Sequence, residues 1–192
     1  MATVEFFYDY VSPYTYLANS QVGNLEADVA FRPMLLGAVM QATDNRPPRE
    51  VVPKRAYLTA DLKRWAHRYG VPFEWPSVFP QKTVTALRLA IAAGQEGCFD
   101  AVHQPLFDAV WCDGRDLGDV TVLTDILQTA GLDAETMLQR AVSDDIKSAL
   151  RANTDEALAR GVFGAPTFFV GDEMFFGNDR FDFVEEALAK AG

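Results

Sequence analysis

Residues 3–9 (Thr-Val-Glu-Phe-Phe-Tyr-Asp) form a short β-branched and aromatic run, which predicts a buried strand rather than a helix. Ser12-Pro13 follows, and the apolar positions Tyr14, Tyr16, Leu17, Ala18, Val22 and Leu25 then continue as a helical stripe. Ser at the N-cap with Pro at the first helical position is a helix-start signature. Val29 to Leu36 reads as a second strand, interrupted by Pro33, so the chain opens strand–helix–strand with a parallel crossover. Residues 53–69 begin with Pro, repeat apolar groups at helical spacing and stop at Gly70. Residues 83–93, 98–111, 119–130, 133–141 and 143–160 each read as helices between Gly-containing breaks, and no strand pattern occurs between residues 40 and 160. The end returns to strand character: Thr167 to Val170, a Gly171-Asp172 turn, Met174 to Phe176, and a last helix over 180–190. The fold class expected is therefore α/β. Residues 1–40 and 160–192 make one α/β domain, and residues 41–159 form an all-helical insertion.

Composition narrows the function more than the fold. The 192 residues are 49% hydrophobic with 14 Phe, 6 Tyr and 3 Trp, so the chain is neither disordered nor collagen-like. A balance of 27 acidic to 17 basic residues, net −10, argues against a nucleic-acid or anionic-membrane partner. No apolar run has the length of a membrane-spanning helix, and Met1 to Glu5 lacks the start of a signal peptide; a cytoplasmic setting is expected. The two cysteines, Cys98 and Cys112, cannot form a disulfide framework and read as small apolar fillers. No Cys/His cluster has metal spacing, so no metal is expected, and His67 and His103 read as surface or packing residues. Among Trp65, Trp75 and Trp111, packing roles are favoured for at least two, with the remainder available to line an aromatic cleft.

Chemistry enters at the turn Ser12-Pro13-Tyr14-Thr15. The first amides of a helix are unpaired and its dipole favours negative charge there, a device for holding a thiolate or another anion. Thiol–disulfide oxidoreductases of the thioredoxin fold carry Cys-x-x-Cys at this turn; Ser12 and Thr15 occupy those places here, which leaves no dithiol cycle. Taken alone, Ser12 would be only an N-cap. The second feature is Phe163-Gly164-Ala165-Pro166-Thr167, where a thioredoxin-like fold keeps a cis proline and presents the preceding backbone to an extended ligand.

With these two segments, Phe7-Tyr8-Asp9-Tyr10-Val11-Ser12-Pro13-Tyr14, Asn45-Arg46-Pro47-Pro48 and Phe176-Gly177-Asn178-Asp179-Arg180 make the chain resemble the 2-hydroxychromene-2-carboxylate isomerase family, kin of kappa-class glutathione transferases and of bacterial disulfide oxidoreductases with a helical insertion. The resemblance runs over nearly the whole chain and implies a thioredoxin-like fold with an inserted helical domain. It also implies glutathione as cofactor. Ser12 matches the catalytic serine and would donate a hydrogen bond to the glutathione sulfur. Lys54, Ala165, Pro166, Phe176, Gly177, Asn178 and Asp179 match the remainder of the glutathione site. A carboxylate at Asp179 suits the ligand's ammonium group, and Asn178 suits its carboxylate. Asn45 and Arg46 fall on the substrate side. There the family carries Gly-Asn-Lys-Pro-Pro and this chain has Asp44 for Gly and Arg46 for Lys; an arginine can grip a substrate carboxylate bidentately. Phe176 stands where these isomerases often carry Trp.

The activity implied is glutathione-dependent interconversion of a 2-hydroxychromene-2-carboxylate-like compound and its ring-opened trans-o-hydroxybenzylidenepyruvate-like isomer, in aromatic hydrocarbon degradation, by reversible thiolate addition. A kappa-like transferase that conjugates electrophiles would use the same residues. A redox-dead thioredoxin-like module that binds peptides is the non-enzymatic alternative. The partners implied are glutathione and a small aromatic carboxylate. Family members are often dimers, although no apolar stripe in the sequence identifies an interface.

Overall fold

The computed structural model describes residues 2–191. Strand β1 (Thr3–Tyr8) leads through α1 (Pro13–Val22) to β2 (Asp28–Pro33), and β3 (Thr167–Val170) and β4 (Glu173–Phe176) close the chain before α9 (Phe181–Ala191). The four strands make one sheet in the order β2-β1-β3-β4. β1 pairs parallel with β2 and antiparallel with β3, and β3 pairs antiparallel with β4. Between β2 and β3 run α2 (Leu36–Ala42), a 3-10 turn over Pro48–Glu50, α3 (Val52–Tyr69), α4 (Val84–Gln95), α5 (Phe99–Trp111), α6 (Val120–Thr129), α7 (Ala134–Ala141) and α8 (Asp144–Ala159). The α/β class with a thioredoxin-like sheet and a long helical segment is as the sequence predicts.

One boundary differs. The second strand ends at Pro33 instead of reaching Leu36, and the next residues form α2, which the sequence pattern does not reveal. The cause is long-range: the backbone N–H of Leu36 donates to Asp9 Oδ2 at 3.0 Å, so a carboxylate from the end of β1 satisfies the start of α2.

Strand alternation divides the core between the two faces of the sheet. Val4, Phe6 and Tyr8 point into the larger cluster with Leu17, Leu62, Leu87, Phe107, Trp111 and Leu123. Phe7 points the other way, into a smaller cluster with Met34, Val39, Ala157, Val162, Ala165 and Phe169. Phe6 stacks on Phe168 across the strands with centroids 4.9 Å apart, and Trp111, wholly buried, donates from Nε1 to the Tyr10 carbonyl at 2.9 Å. The α8 helix lies under β2: Asn153 Nδ2 donates to the Pro33 carbonyl at 3.1 Å, and Leu35 N–H donates to Thr154 Oγ1 at 3.1 Å.

His103 sits inside the larger cluster. Tyr10 Oη lies 2.9 Å from its Nδ1 and Asn19 Oδ1 lies 2.8 Å from its Nε2. Asn19 spends its own amide on Gln104 at 2.9 Å, so its oxygen accepts from Nε2–H while Nδ1 accepts the Tyr10 hydroxyl. The ring is thus neutral, and burial pushes its pKa from 6.5 to about 3. The unfolded chain therefore binds an extra proton between those values. The stabilisation is complete above pH 6.5 and is lost as pH falls toward 3. We expect this group to cost about 3 kcal/mol of stability between pH 7 and pH 4.5. Denaturant melts of wild type and His103→Phe at both pH values check this, the variant showing the shallower pH slope.

Candidate active site

Ser12 caps α1 from an extended backbone, and its Oγ accepts the Thr15 N–H at 3.2 Å. The same hydroxyl donates to the Ala165 carbonyl at 3.1 Å, which joins the helix start to the Ala165–Pro166 peptide, a cis bond. Ser12 is 6% exposed and Thr15 fully buried. No cysteine lies in this turn; Cys112 is held elsewhere, with the Tyr16 hydroxyl 3.3 Å from its sulfur, and Cys98 precedes α5.

The β4–α9 loop lies on the other side of the cis proline. The Pro166 carbonyl accepts the Gly177 N–H at 3.0 Å. Gly177 has φ 114°, outside the range of ordinary L residues, and a Cβ there would meet Asp179 Oδ1 at 2.7 Å. Phe176 covers Gly164 so closely that a Cβ on Gly164 would come within 2.7 Å of its ring, and it meets the Phe163 ring at a tilt with centroids 4.6 Å apart. Asn178 is only 3% exposed. Its carbonyl accepts the Tyr69 hydroxyl at 2.6 Å, yet its side-chain Nδ2 is buried without an acceptor among the described residues. Asp179 is partly exposed and pairs with Arg180 at 2.7 Å.

Two further segments complete the surround. From α3, Asp61 accepts the Tyr14 hydroxyl at 2.8 Å and the Tyr57 hydroxyl at 3.2 Å. Burial raises the Tyr14 pKa, the Asp61 hydrogen bond raises it further, and the charges of Asp61 and Asp179 add to the rise. Tyr14 therefore stays a neutral donor. From the loop after α2, Asn45 Nδ2 donates to the Phe163 carbonyl at 2.8 Å, pinning that loop to the segment before the cis proline. Ser12, Ala165, Pro166, Phe176, Gly177, Asn178 and Asp179 are thus drawn into one neighbourhood. Arg46 and Lys54 are exposed and have no side-chain partner among the described residues.

Sequence reasoning assigned no role to Asp9. It is fully buried, with Oδ1 accepting the Thr83 hydroxyl at 2.7 Å and the Val11 N–H at 3.1 Å, while its own carbonyl accepts the Ser12 N–H at 3.1 Å. The available signal was a lone carboxylate between Tyr8 and Tyr10 at the end of an apolar strand, since a buried charge in such a place must be paired. Tyr14 stands in the helical stripe and in the resemblance motif with no role of its own, and its link to Asp61 depends on a partner far along the chain.

Among the described residues no group of His, Cys, Asp and Glu has the arrangement of a metal site, and no helix is long and apolar enough to cross a membrane. Residues 3–189 match the model of the DSBA-like thioredoxin domain. The chain is 35% identical to a 2-hydroxychromene-2-carboxylate isomerase of Sphingobium xenophagum, over 97% of each chain. It is 27% identical to human glutathione S-transferase kappa 1, over 98% of this chain and 91% of that one. A solved 2-hydroxychromene-2-carboxylate isomerase superposes with a TM-score of 0.89 at 29% identity, covering 98% of this chain and 95% of that one. The serine-capped helix, the cis proline without a cysteine opposite it and this full-length similarity agree: the chain belongs to the 2-hydroxychromene-2-carboxylate isomerase family, built on the DSBA-like thioredoxin domain.

Proposed function

We propose that this protein is a glutathione-dependent isomerase that interconverts a 2-hydroxychromene-2-carboxylate-like compound and its ring-opened trans-o-hydroxybenzylidenepyruvate-like isomer in aromatic hydrocarbon degradation. The observation that carries the reading is Ser12 Oγ at the head of α1, 3.1 Å from the Ala165 carbonyl beside cis Pro166, with no cysteine in the turn. An anion-favouring helix start with a hydroxyl and no thiol of its own suits a thiol brought in by a ligand. The buried, unpartnered Nδ2 of Asn178 supports a glutathione site independently, since it is a donor in want of an acceptor such as the γ-glutamyl carboxylate.

Bound glutathione would supply a thiolate, at once nucleophile and leaving group, for reversible addition to an activated double bond. The chain's own residues hold and tune that group. The Ser12 hydroxyl turns from the Ala165 carbonyl to donate to the sulfur, and the α1 dipole favours the anion. The Ala165 main chain beside Pro166 pairs with the ligand backbone. Phe176 and Gly177 shape the floor, Asn178 takes the γ-glutamyl carboxylate, Asp179 the ammonium, and Lys54 serves a glutathione carboxylate. Asn45 and Arg46 belong to the substrate side. The division into a base of residues 1–40 and 160–192 and a helical lid of 41–159, a cytoplasmic setting and a homodimer form part of the same proposal.

We expect the ultraviolet change of a 2-hydroxychromene-2-carboxylate to appear only when purified protein and glutathione are both present. Turnover indifferent to glutathione overturns the reading. The similarity to a kappa-class transferase supports a second reading, in which the thiol adduct leaves as product. Mass spectrometry distinguishes the two, because an isomerase leaves no accumulating conjugate.

A further inference from the structure

A cavity of about 140 Å³ opens at the start of α3, lined by Arg49, Arg55, Leu58, Thr59 and Trp75. The two arginines are its distinctive feature. Arg32, Arg64, Arg115, Arg140, Arg160 and Arg180 each pair with a carboxylate, and Arg68, Arg88 and Arg151 stand singly without one among the described residues. Arg49 and Arg55 have no acidic partner among the described residues, nor do Arg46 and Lys54 in the same stretch. This positive cluster lies in a chain of net charge −10 and next to the positive end of the α3 dipole, where cations repel rather than gain. An unneutralised cluster of this kind calls for an anion.

The groups are also held in place. The Arg49 guanidinium lies over the rings of Trp75 and Phe79, at 4.8 and 5.0 Å from their centroids, and those rings meet edge to face at 5.3 Å. Arg55 donates from Nε to the Arg49 carbonyl at 3.0 Å, which leaves its terminal nitrogens without an acceptor among the described residues. Trp75 Nε1 is likewise buried with no acceptor among them. The cavity therefore combines forked cationic donors, an indole and the buried side chain of Leu58. That chemistry fits a small, flat aromatic carboxylate and is too confined for a peptide or a nucleotide.

Its position relates it to the site already described. Leu58 lies one turn of α3 before Asp61, which takes the hydroxyl of Tyr14, two residues beyond Ser12. The loop that carries Arg49 is pinned by Asn45 to Phe163, two residues before Ala165. The cavity and the Ser12–Pro166 junction thus share α3 and the segment that precedes it as supports.

We propose that Arg49 and Arg55 form the carboxylate subsite of the aromatic substrate, with Trp75 as its aromatic wall. The substrate class rests on the isomerase reading; the carboxylate site does not. The probe is 2-hydroxycinnamate, with its uncharged methyl ester as control, titrated calorimetrically into protein without glutathione. We expect Arg49→Leu to weaken the acid about 10- to 100-fold, as loss of charge-assisted hydrogen bonds implies, and to leave the ester unchanged. Arg49→Lys, which keeps the charge but loses the fork, should fall between. In turnover, Arg49→Leu should raise KM for the chromene with kcat and glutathione affinity little altered. Acid affinity unchanged in both Arg49→Leu and Arg55→Leu overturns the proposal, as does a loss confined to Arg46→Leu or one that falls on glutathione. Arginine-dependent acid binding in a protein with no isomerase turnover would remove the reaction and leave the subsite standing.

Discussion

Replacing Ser12 by alanine should lower kcat by about 10²–10³-fold, the scale of removing one hydrogen-bond donor aimed at a reacting anion. The affinity for glutathione should stay within about threefold, because the proposed site would hold the ligand's carboxylates and ammonium elsewhere, at Asn178, Asp179 and Lys54. The structural cost is separate and small. Ser12 Oγ is the acceptor for the Thr15 N–H, and loss of such a cap costs about 1 kcal/mol, a shift of roughly 2–4 °C in Tm for a chain of this size. The Ala165 carbonyl, in a residue only 8% exposed, also loses its side-chain donor, which adds to the cost read by the same melt. Turnover by ultraviolet absorbance, glutathione titration by calorimetry and a thermal melt together read all three effects. A parallel loss in kcat and glutathione affinity would make Ser12 a binding contact instead of the group that tunes the sulfur.

Most of the fold that supports this serine was legible locally. Ser12-Pro13 marks the start of α1, the helices of residues 53–160 stand apart by their periods and glycine breaks, and β3 and β4 announce themselves as aromatic runs around Gly171-Asp172. Those signals survive because each element's pattern is set by residues within it. What was hidden depends on partners distant in the chain. The start of α2 rests on a carboxylate 27 residues earlier, Tyr14 finds Asp61 across 47 positions, and Asn45 reaches Phe163 across 118. Arg49 and Trp75 meet only because α3 folds back beside the segment that follows it. The expectation for Ala165, Gly177, Asn178 and Asp179 comes from family resemblance; their spacing alone carries no chemistry, since a glycine followed by Asn-Asp is also an ordinary helix approach.

Asp9 carries the second large effect. Its carboxylate is fully buried and accepts from the Thr83 hydroxyl, the Val11 N–H and the Leu36 N–H, so it ties the heads of α2 and α4 to the turn that delivers Ser12. Asp9→Ala strands all three donors in an apolar surround, and we expect a loss of about 3–5 kcal/mol. Asp9→Asn keeps the shape, yet its amide must turn a donor toward the Thr83–Val11 side or toward Leu36, so about 1–3 kcal/mol should still be lost. Burial raises the Asp9 pKa above 3.8, and the three hydrogen bonds only partly offset it. A raised carboxyl pKa stabilises the fold below the unfolded value, and that contribution fades as pH climbs through the folded one. The penalty of Asp9→Asn relative to wild type should therefore be larger at pH 4 than at pH 7, which urea midpoints at the two pH values measure; the opposite order would mean that the carboxylate is better solvated by its donors than by water. The functional consequence follows from the backbone. Asp9's own carbonyl accepts the Ser12 N–H, so a slackened Asp9 lets the serine drift from the cis proline, and kcat should fall in Asp9→Asn even at temperatures where the variant is fully folded.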